Sequence, residues 1–358
     1  MEFYEDQLKS HFLNILFHDD WEIYGDGTGD PEILMFDPAN RLMDICDSYG
    51  AKYTFFVEIG QQLNMLSRPG TKWHKYAVKW EKIVKDAISR GHDVQLHLHP
   101  QWIGAFWENG RWQLNLSEWH SGYVNPDLLT DWIGKGKLYL ENLLRSTDKD
   151  YRVLSFRAGG WFCQPSNGLY LALRKNGIIC DISVMKGRYR KYEGGKVVDF
   201  RNAVSCYEPW EVDPENFARE QTGSGVWELP VFTEISSLPH PVYLLKKAFR
   251  PWHYYKIFQK RKKRKGAGGY SPKVIPSEKS KEYYGSFGYM HVKHLMSYIN
   301  HLQEISCSNI DVNHLIFLTH SKSFLDFKNF ENLLKRLSLF QEIQFSTTRN
   351  YIQQRMFK

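Results

Sequence analysis

The chain has 358 residues, 42% apolar and 15% aromatic, which is enough for a sizeable core. Five scattered cysteines (Cys46, Cys163, Cys180, Cys206, Cys307) with no C-x-x-C pair exclude a disulfide framework and a zinc knuckle. The net charge of +7 is concentrated: residues 246–265 hold ten Lys/Arg and no acid, and the rest sets 37 basic against 40 acidic residues. A nearly neutral body argues against a fold built as a whole for nucleic acid.

The opening MEFYEDQLKS is acidic and polar, unlike a signal peptide, and no run of about 18 apolar residues offers a membrane span. The expected compartment is the cytoplasm. In chain order, ILF (15–17) predicts a strand that stops at HDD, and a helix follows over 38–49, closed by Gly50. YTFFVE (53–58) predicts a second strand. Tyr76, Trp80, Ile83, Val84, Ala87 and Ile88 keep helical spacing up to Gly91, and VQLHLH (94–99) is a third strand. Another helix is expected around Leu129–Leu144. VLSF (153–156), IIC (178–180), VWELPVF (226–232) and LIFLTH (315–320) read as further buried strands, with helices near 166–176, through Val292, Leu295, Met296, Ile299 and Leu302, and near 327–339.

Strands alternating with helices predict a parallel sheet, and about seven of them predict an α/β fold closed into a distorted barrel. Chemistry then gathers at the C-terminal strand ends. Asp19 and Asp20 end the first strand, His97 and His99 the third, Arg157 the next, Asp181 the one after and His320 the last. His97 and His99, two apart in a strand, share one side and can aim at one point. With a carboxylate from Asp20, Asp19 or Glu22 they form a donor set suited to a catalytic divalent ion, Zn²⁺ above all, with positions left open for water.

The blocks ILFHDDWE, AKYTFFVEIG, GHDVQLHLHP, SFRAGGW, NGIICDISVMKG and IFLTHSKSF resemble, in order, the motifs of the polysaccharide deacetylases, the NodB-homology or family 4 carbohydrate esterases; EIQFSTTRNYI resembles their closing strand and helix. The resemblance implies a NodB-type barrel over residues 1–358, with an insertion at 236–288. It implies Asp19 as general base and Asp20, His97 and His99 as metal ligands, with Gln101 at the family's usual second-histidine position as the alternate to His99. In the family's D-x-E register, Asp20 is instead the base and Glu22 approaches the metal. Arg157 would orient the base carboxylate, Asp181 steady the arrangement, and His320 protonate the departing amine. Trp161 would wall the groove. The implied reaction is metal-dependent removal of an N-acetyl group from an amino sugar, in surface polysaccharide or glycolipid synthesis.

Residues 102–120 are dense in tryptophan and begin with Trp102, which offers either a saccharide-binding wall or packing over the barrel mouth. The basic segment 246–265 reads as a solvated insertion, as a peripheral contact with anionic lipid at the inner membrane face, or as a contact with nucleic acid or another acidic polymer. A small non-sugar amide as substrate, and a catalytically silent binding protein, are the rival readings.

Overall fold

The computed structural model describes residues 13–235, 274–275, 282–284, 296, 314–322 and 326–355. The basic segment 246–265 and Cys307 lie outside the described residues, as does the helix expected around 292–302 apart from Met296. Of the expected insertion 236–288, only Val274–Ile275 and Glu282–Tyr284 are described, as short strands pairing with Tyr189–Tyr192 and Thr233–Ile235.

Eight parallel strands organise the fold: β1 (Leu13–Trp21), β2 (Tyr53–Glu58), β3 (Asp93–Leu98), β4 (Ser155–Ala158), β5 (Cys180–Asp181), β6 (Trp227–Glu228), β7 (His314–Thr319) and β8 (Ile343–Phe345). Seven lie in the order β6-β5-β4-β3-β2-β1-β7, and β8 pairs with the first three residues of β1. Past β6 the chain stays extended. Leu229 and Val231 donate to the carbonyls of Asp181 and Val184, and Phe232 N–H reaches Ile316 O of β7 at 3.2 Å. That bond joins the two ends of the row into a distorted ring. Antiparallel strands Trp210–Asp213 and Asn216–Glu220 flank β6.

Among the described residues, the α-helices are α1 (Asp37–Ser48), α2 (Ile59–Leu66), α3 (Lys72–Ser89), α4 (Pro126–Leu144), α5 (Asn167–Lys175), α6 (Phe327–Leu337) and α7 (Thr348–Arg355). Parallel neighbours need such crossovers, and helices on the outside leave the strands buried on both faces. β1, β2, β3 and β7 are accordingly buried at every residue. The helices follow their sequence signals, with Thr71 capping α3 at His74 N–H and Asn125 capping α4 ahead of Pro126. The sequence reading lacked α2, which continues straight from β2. Its N-cap is Glu58, a strand residue whose carboxylate accepts from Gly60 and Gln61 N–H. Among the described residues, no helix is long and apolar enough to cross a membrane.

The outer core forms between β1 and the helices. Phe17 lies edge-on to Phe330 of α6 at 5.2 Å and near Phe317 and Phe345. Trp21 packs among Phe36, Phe55 and Trp80, and its Nε1–H donates to Met35 O at 3.0 Å. Truncating a fully buried aromatic loses transfer energy and leaves a cavity. Phe17→Ala should therefore lower the unfolding free energy by about 3–5 kcal/mol in urea titration, with the circular dichroism spectrum of the remaining folded state retained.

Candidate metal centre and active site

β1 does not stop at His18-Asp19-Asp20. It stays paired through them, Asp20 opposite Phe56 and Trp21 opposite Val57, with Asp19 opposite Thr319 on the other side. Strand alternation therefore sorts these residues. Phe17 and Trp21 turn to the helices, whereas His18, Asp20 and Glu22 share the opposite side and meet Arg157, His320 and His99. Asp19 has the parity of Phe17 and Trp21. Its Oδ1 accepts from Ser321 N–H at 2.6 Å, at the end of β7. The two adjacent aspartates therefore serve different sides of the strand.

Arg157 on β4 is fully buried and all three of its nitrogens are engaged. Nη1 donates to Asp20 Oδ1 at 2.6 Å, Nε to Ile182 O at 2.9 Å, and Nη2 faces His18 Nδ1 at 2.7 Å. Its guanidinium carbon lies 3.9 Å from the centre of the Phe56 ring. A guanidinium can only donate, so His18 Nδ1 accepts, and its proton sits on Nε2, which faces Thr348 Oγ1 at 2.8 Å. Burial, then the Arg157 charge, holds the His18 pKa well below the usual histidine value. Burial would raise Asp20, but Arg157, then His97 and His320, hold it below the ordinary carboxylate range. His320 Nε2 lies 3.3 Å from the second oxygen, Oδ2, and its side chain is 22% exposed at the mouth.

Glu22, His97 and His99 bring one donor atom each within 4.8 Å of one another, all buried. His99 Nε2 is 3.1 Å from Glu22 Oε2, and His97 Nε2 is 3.9 Å from Glu22 Oε1. The carboxylate that meets both imidazoles is thus Glu22, while Asp20 goes to Arg157 and His320. His97 Nδ1 faces the Arg157 carbonyl at 2.9 Å, so it carries the proton and turns the Nε2 lone pair into the cluster. That Nε2 is buried without a hydrogen-bond partner. Burial lowers and the acids Asp20 and Glu22 raise His97, whose pKa ends above its usual value. An unsatisfied imidazole nitrogen in a pocket that favours positive charge, beside a carboxylate, fits a divalent cation. Glu22, though buried, is held low by His99, Lys322 and His97.

Gln101 meets His99 Nδ1 at 3.2 Å, on the ring nitrogen turned away from Glu22. It braces His99 rather than standing in for it. Trp102, for which the sequence offered either a substrate wall or packing over the barrel mouth, is 1% exposed and packs edge-on to Trp112 at 5.4 Å. It presents no open ring face. Trp161 is buried beside Arg157 and takes a φ of 70°, a strained conformation for so bulky a residue. Asp181 does not touch Asp20. Its oxygens accept from Ser183 N–H and Oγ–H at 3.0 Å, and it pairs with Glu228. Burial, then the Asp181 charge, pushes Glu228 well above the carboxylate range, so Glu228 keeps its proton. The pair fixes the turn whose Ile182 carbonyl holds Arg157.

Three residues that the sequence reading passed over belong to this centre. His18 was signalled by its spacing, since H-x-D-x-E puts it with Asp20 and Glu22. Glu58 accepts from His99 N–H at 3.0 Å as it caps α2, and burial pushes it up to about 8. Lys322 Nζ donates to Glu22 Oε1 at 2.6 Å, a contact made across the ring and invisible in local sequence.

No protein-family model matches the chain, and no curated protein matches it in sequence. Among solved structures it is similar to the GH57 branching enzyme from Thermococcus kodakaraensis solved with glucose: 11% identity, TM-score 0.52, covering 97% of this chain and 71% of that one. It shares that fold. It is also similar to a putative polysaccharide deacetylase from Mycobacterium smegmatis (13% identity, 96% and 90% covered, TM-score 0.48) and to PuuE allantoinase (9%, 95% and 88%, TM-score 0.44).

Two outcomes follow from this geometry. A Cβ on Gly159 would stand 2.5 Å from His99 Cγ and 2.6 Å from Nδ1. The same Cβ would stand 2.8 Å from His99 Cα, so Gly159→Ala should push back the end of β3 with its imidazole and weaken divalent-metal binding by roughly tenfold or more in calorimetric titration. Burial pushes Asp19 up to about 8 from 3.8, against its bonds to Ser321. Between these values the folded protein binds a proton that the unfolded chain does not, so stability falls as pH rises. Asp19→Asn should remove up to about 1.4 kcal/mol per pH unit of that slope between pH 4 and 8, read from urea midpoints.

Proposed function

We propose that this protein is a metal-dependent hydrolase that removes the acetyl group from an N-acetylated amino sugar, in the assembly of a surface polysaccharide or glycolipid. The observation that carries the reading is the convergence of Glu22, His97 and His99 beside an aspartate clamped by a buried arginine. These three residues would hold the ion, and nitrogen and oxygen donors of this kind favour Zn²⁺. A bound ion supplies Lewis-acid polarisation and makes water acidic near neutral pH.

The chain's own residues account for the proton traffic. Arg157 keeps Asp20 ionised and occupies Oδ1, which leaves Oδ2 to take a proton from the attacking water. His320 lies against the same Oδ2 and is partly exposed at the mouth. It is placed to pass a proton to the nitrogen as the C–N bond breaks. Water and amide thus become acetate and a free amine, with the proton balance held between one carboxylate and one imidazole. Asp19, on the other side of β1, has no part in this scheme.

A small non-sugar amide is the second reading, favoured by the burial of Trp102 and Trp112, which leaves those rings closed to a sugar. The silent-protein reading sits poorly with three convergent donors. The test is hydrolysis by the zinc-loaded chain of N-acetylglucosamine, free, oligomeric or phosphate-linked, against simple amides. Asp20→Asn should lower turnover by about 10²–10⁴ while keeping zinc, as expected for loss of a general base, and Asp19→Asn should keep turnover within a few fold. Equal loss in both variants, or turnover undiminished after exhaustive chelation, would end this assignment.

A further inference from the structure

Glu22 has two oxygens with different neighbours. Oε2 faces His99 Nε2 at 3.1 Å, and Oε1 receives Lys322 Nζ at 2.6 Å. The Lys322 side chain is 15% exposed, the Glu22 side chain 3%, and the ion pair is therefore poorly screened by water. Lys322 stands two residues beyond His320, just after β7, on the far side of β1 from the histidine strand. A half-buried ammonium against a carboxylate that a cation should need is an unusual neighbour. Partners that hold a ligand from outside are typically carboxylates, carbonyls or water, which add to the pull on a metal. Lys322 instead cancels the single negative charge of the donor set.

We infer that Lys322 is a positioning residue that reserves Glu22 Oε1, so that Glu22 offers a divalent ion one oxygen only and the remaining coordination positions stay open to water and substrate. This rests on the metal-centre reading above. Two physical consequences share one sign. Without Lys322, the single negative charge of Glu22 is no longer offset beside the two imidazoles. Oε1, already 3.9 Å from His97 Nε2, is also released to act as a second ligand atom. Both changes strengthen the hold on a cation while filling a position that catalysis requires. If Lys322 were simply a hydrogen-bonding prop for Glu22, its loss would act the other way, weakening the metal by about 10–100-fold.

The experiment is zinc affinity of the full chain, stripped of metal and titrated against a chromophoric chelator, for wild type, Lys322→Met and Lys322→Arg. Met is close in length and apolar, Arg keeps the charge and the donors, and circular dichroism checks that each variant is folded. The expected result is about tenfold tighter zinc for Lys322→Met, from the removed repulsion of a neighbouring positive charge, and wild-type affinity within about twofold for Lys322→Arg. Deacetylation by Lys322→Met should fall in kcat with little change in KM. Zinc bound equally or more weakly by Lys322→Met overturns the inference while leaving the metal centre standing; absence of zinc binding in the wild type overturns the metal centre itself.

Discussion

The buried guanidinium of Arg157 is the constraint on which this structure turns. It bonds β1 through Asp20 and His18 and the turn after β5 through Ile182, and its own carbonyl orients His97 of β3. A charge taken wholly out of water is tolerable only when paired and fully hydrogen-bonded. Each of its partners is therefore fixed in place by the cost of leaving it. Removing Asp20 would strand a buried charge, and removing another partner would leave a guanidinium N–H unpaired, which makes the clamp a reason for the geometry as well as a feature of it. Asp20 gains an ionised state from the same contact, and His18 is kept neutral.

The interior of the ring is polar because the strands carry polar residues at alternate positions. Gln95 accepts from Leu154 and Ser155 N–H, Thr348 joins His18 to Thr54, and the Asp181–Glu228 pair shares one proton. Satisfied networks of this kind specify one arrangement, and unsatisfied ones are expensive. His97 Nε2 is one of several buried polar atoms left without a hydrogen-bond partner. It lies where two imidazoles and Glu22 converge, and the strained Trp161 stands close by beside Arg157. Strain and an orphaned polar atom in one place mark a site whose shape answers to a ligand as well as to stability.

Much of this was legible in the sequence. The strand and helix runs gave a parallel α/β ring in the right order, because buried strands and amphipathic helices leave different periodicities. Where boundaries slipped, the cause was local: VLSF begins two residues before β4, and the acidic HDDW did not look like a strand interior. That second slip had a consequence. Once β1 is extended through Trp21, alternation alone separates Asp19 from Asp20 and groups His18, Asp20 and Glu22. The aromatic loop after β3 stayed open between two readings, since composition does not say whether a tryptophan faces a groove or, like Trp102, the core.

By itself the sequence determined the fold class, the strand that carries His97 and His99, and the presence of an acid, an arginine and a histidine at other strand ends. These depend on periodicity and on neighbours a few residues away. Which acid meets the imidazoles, that Gln101 braces His99, and that Lys322 reaches Glu22 from 300 residues away were decided only by the tertiary structure. Such pairings depend on how the parallel strands are staggered and how the ring closes. No local pattern encodes either.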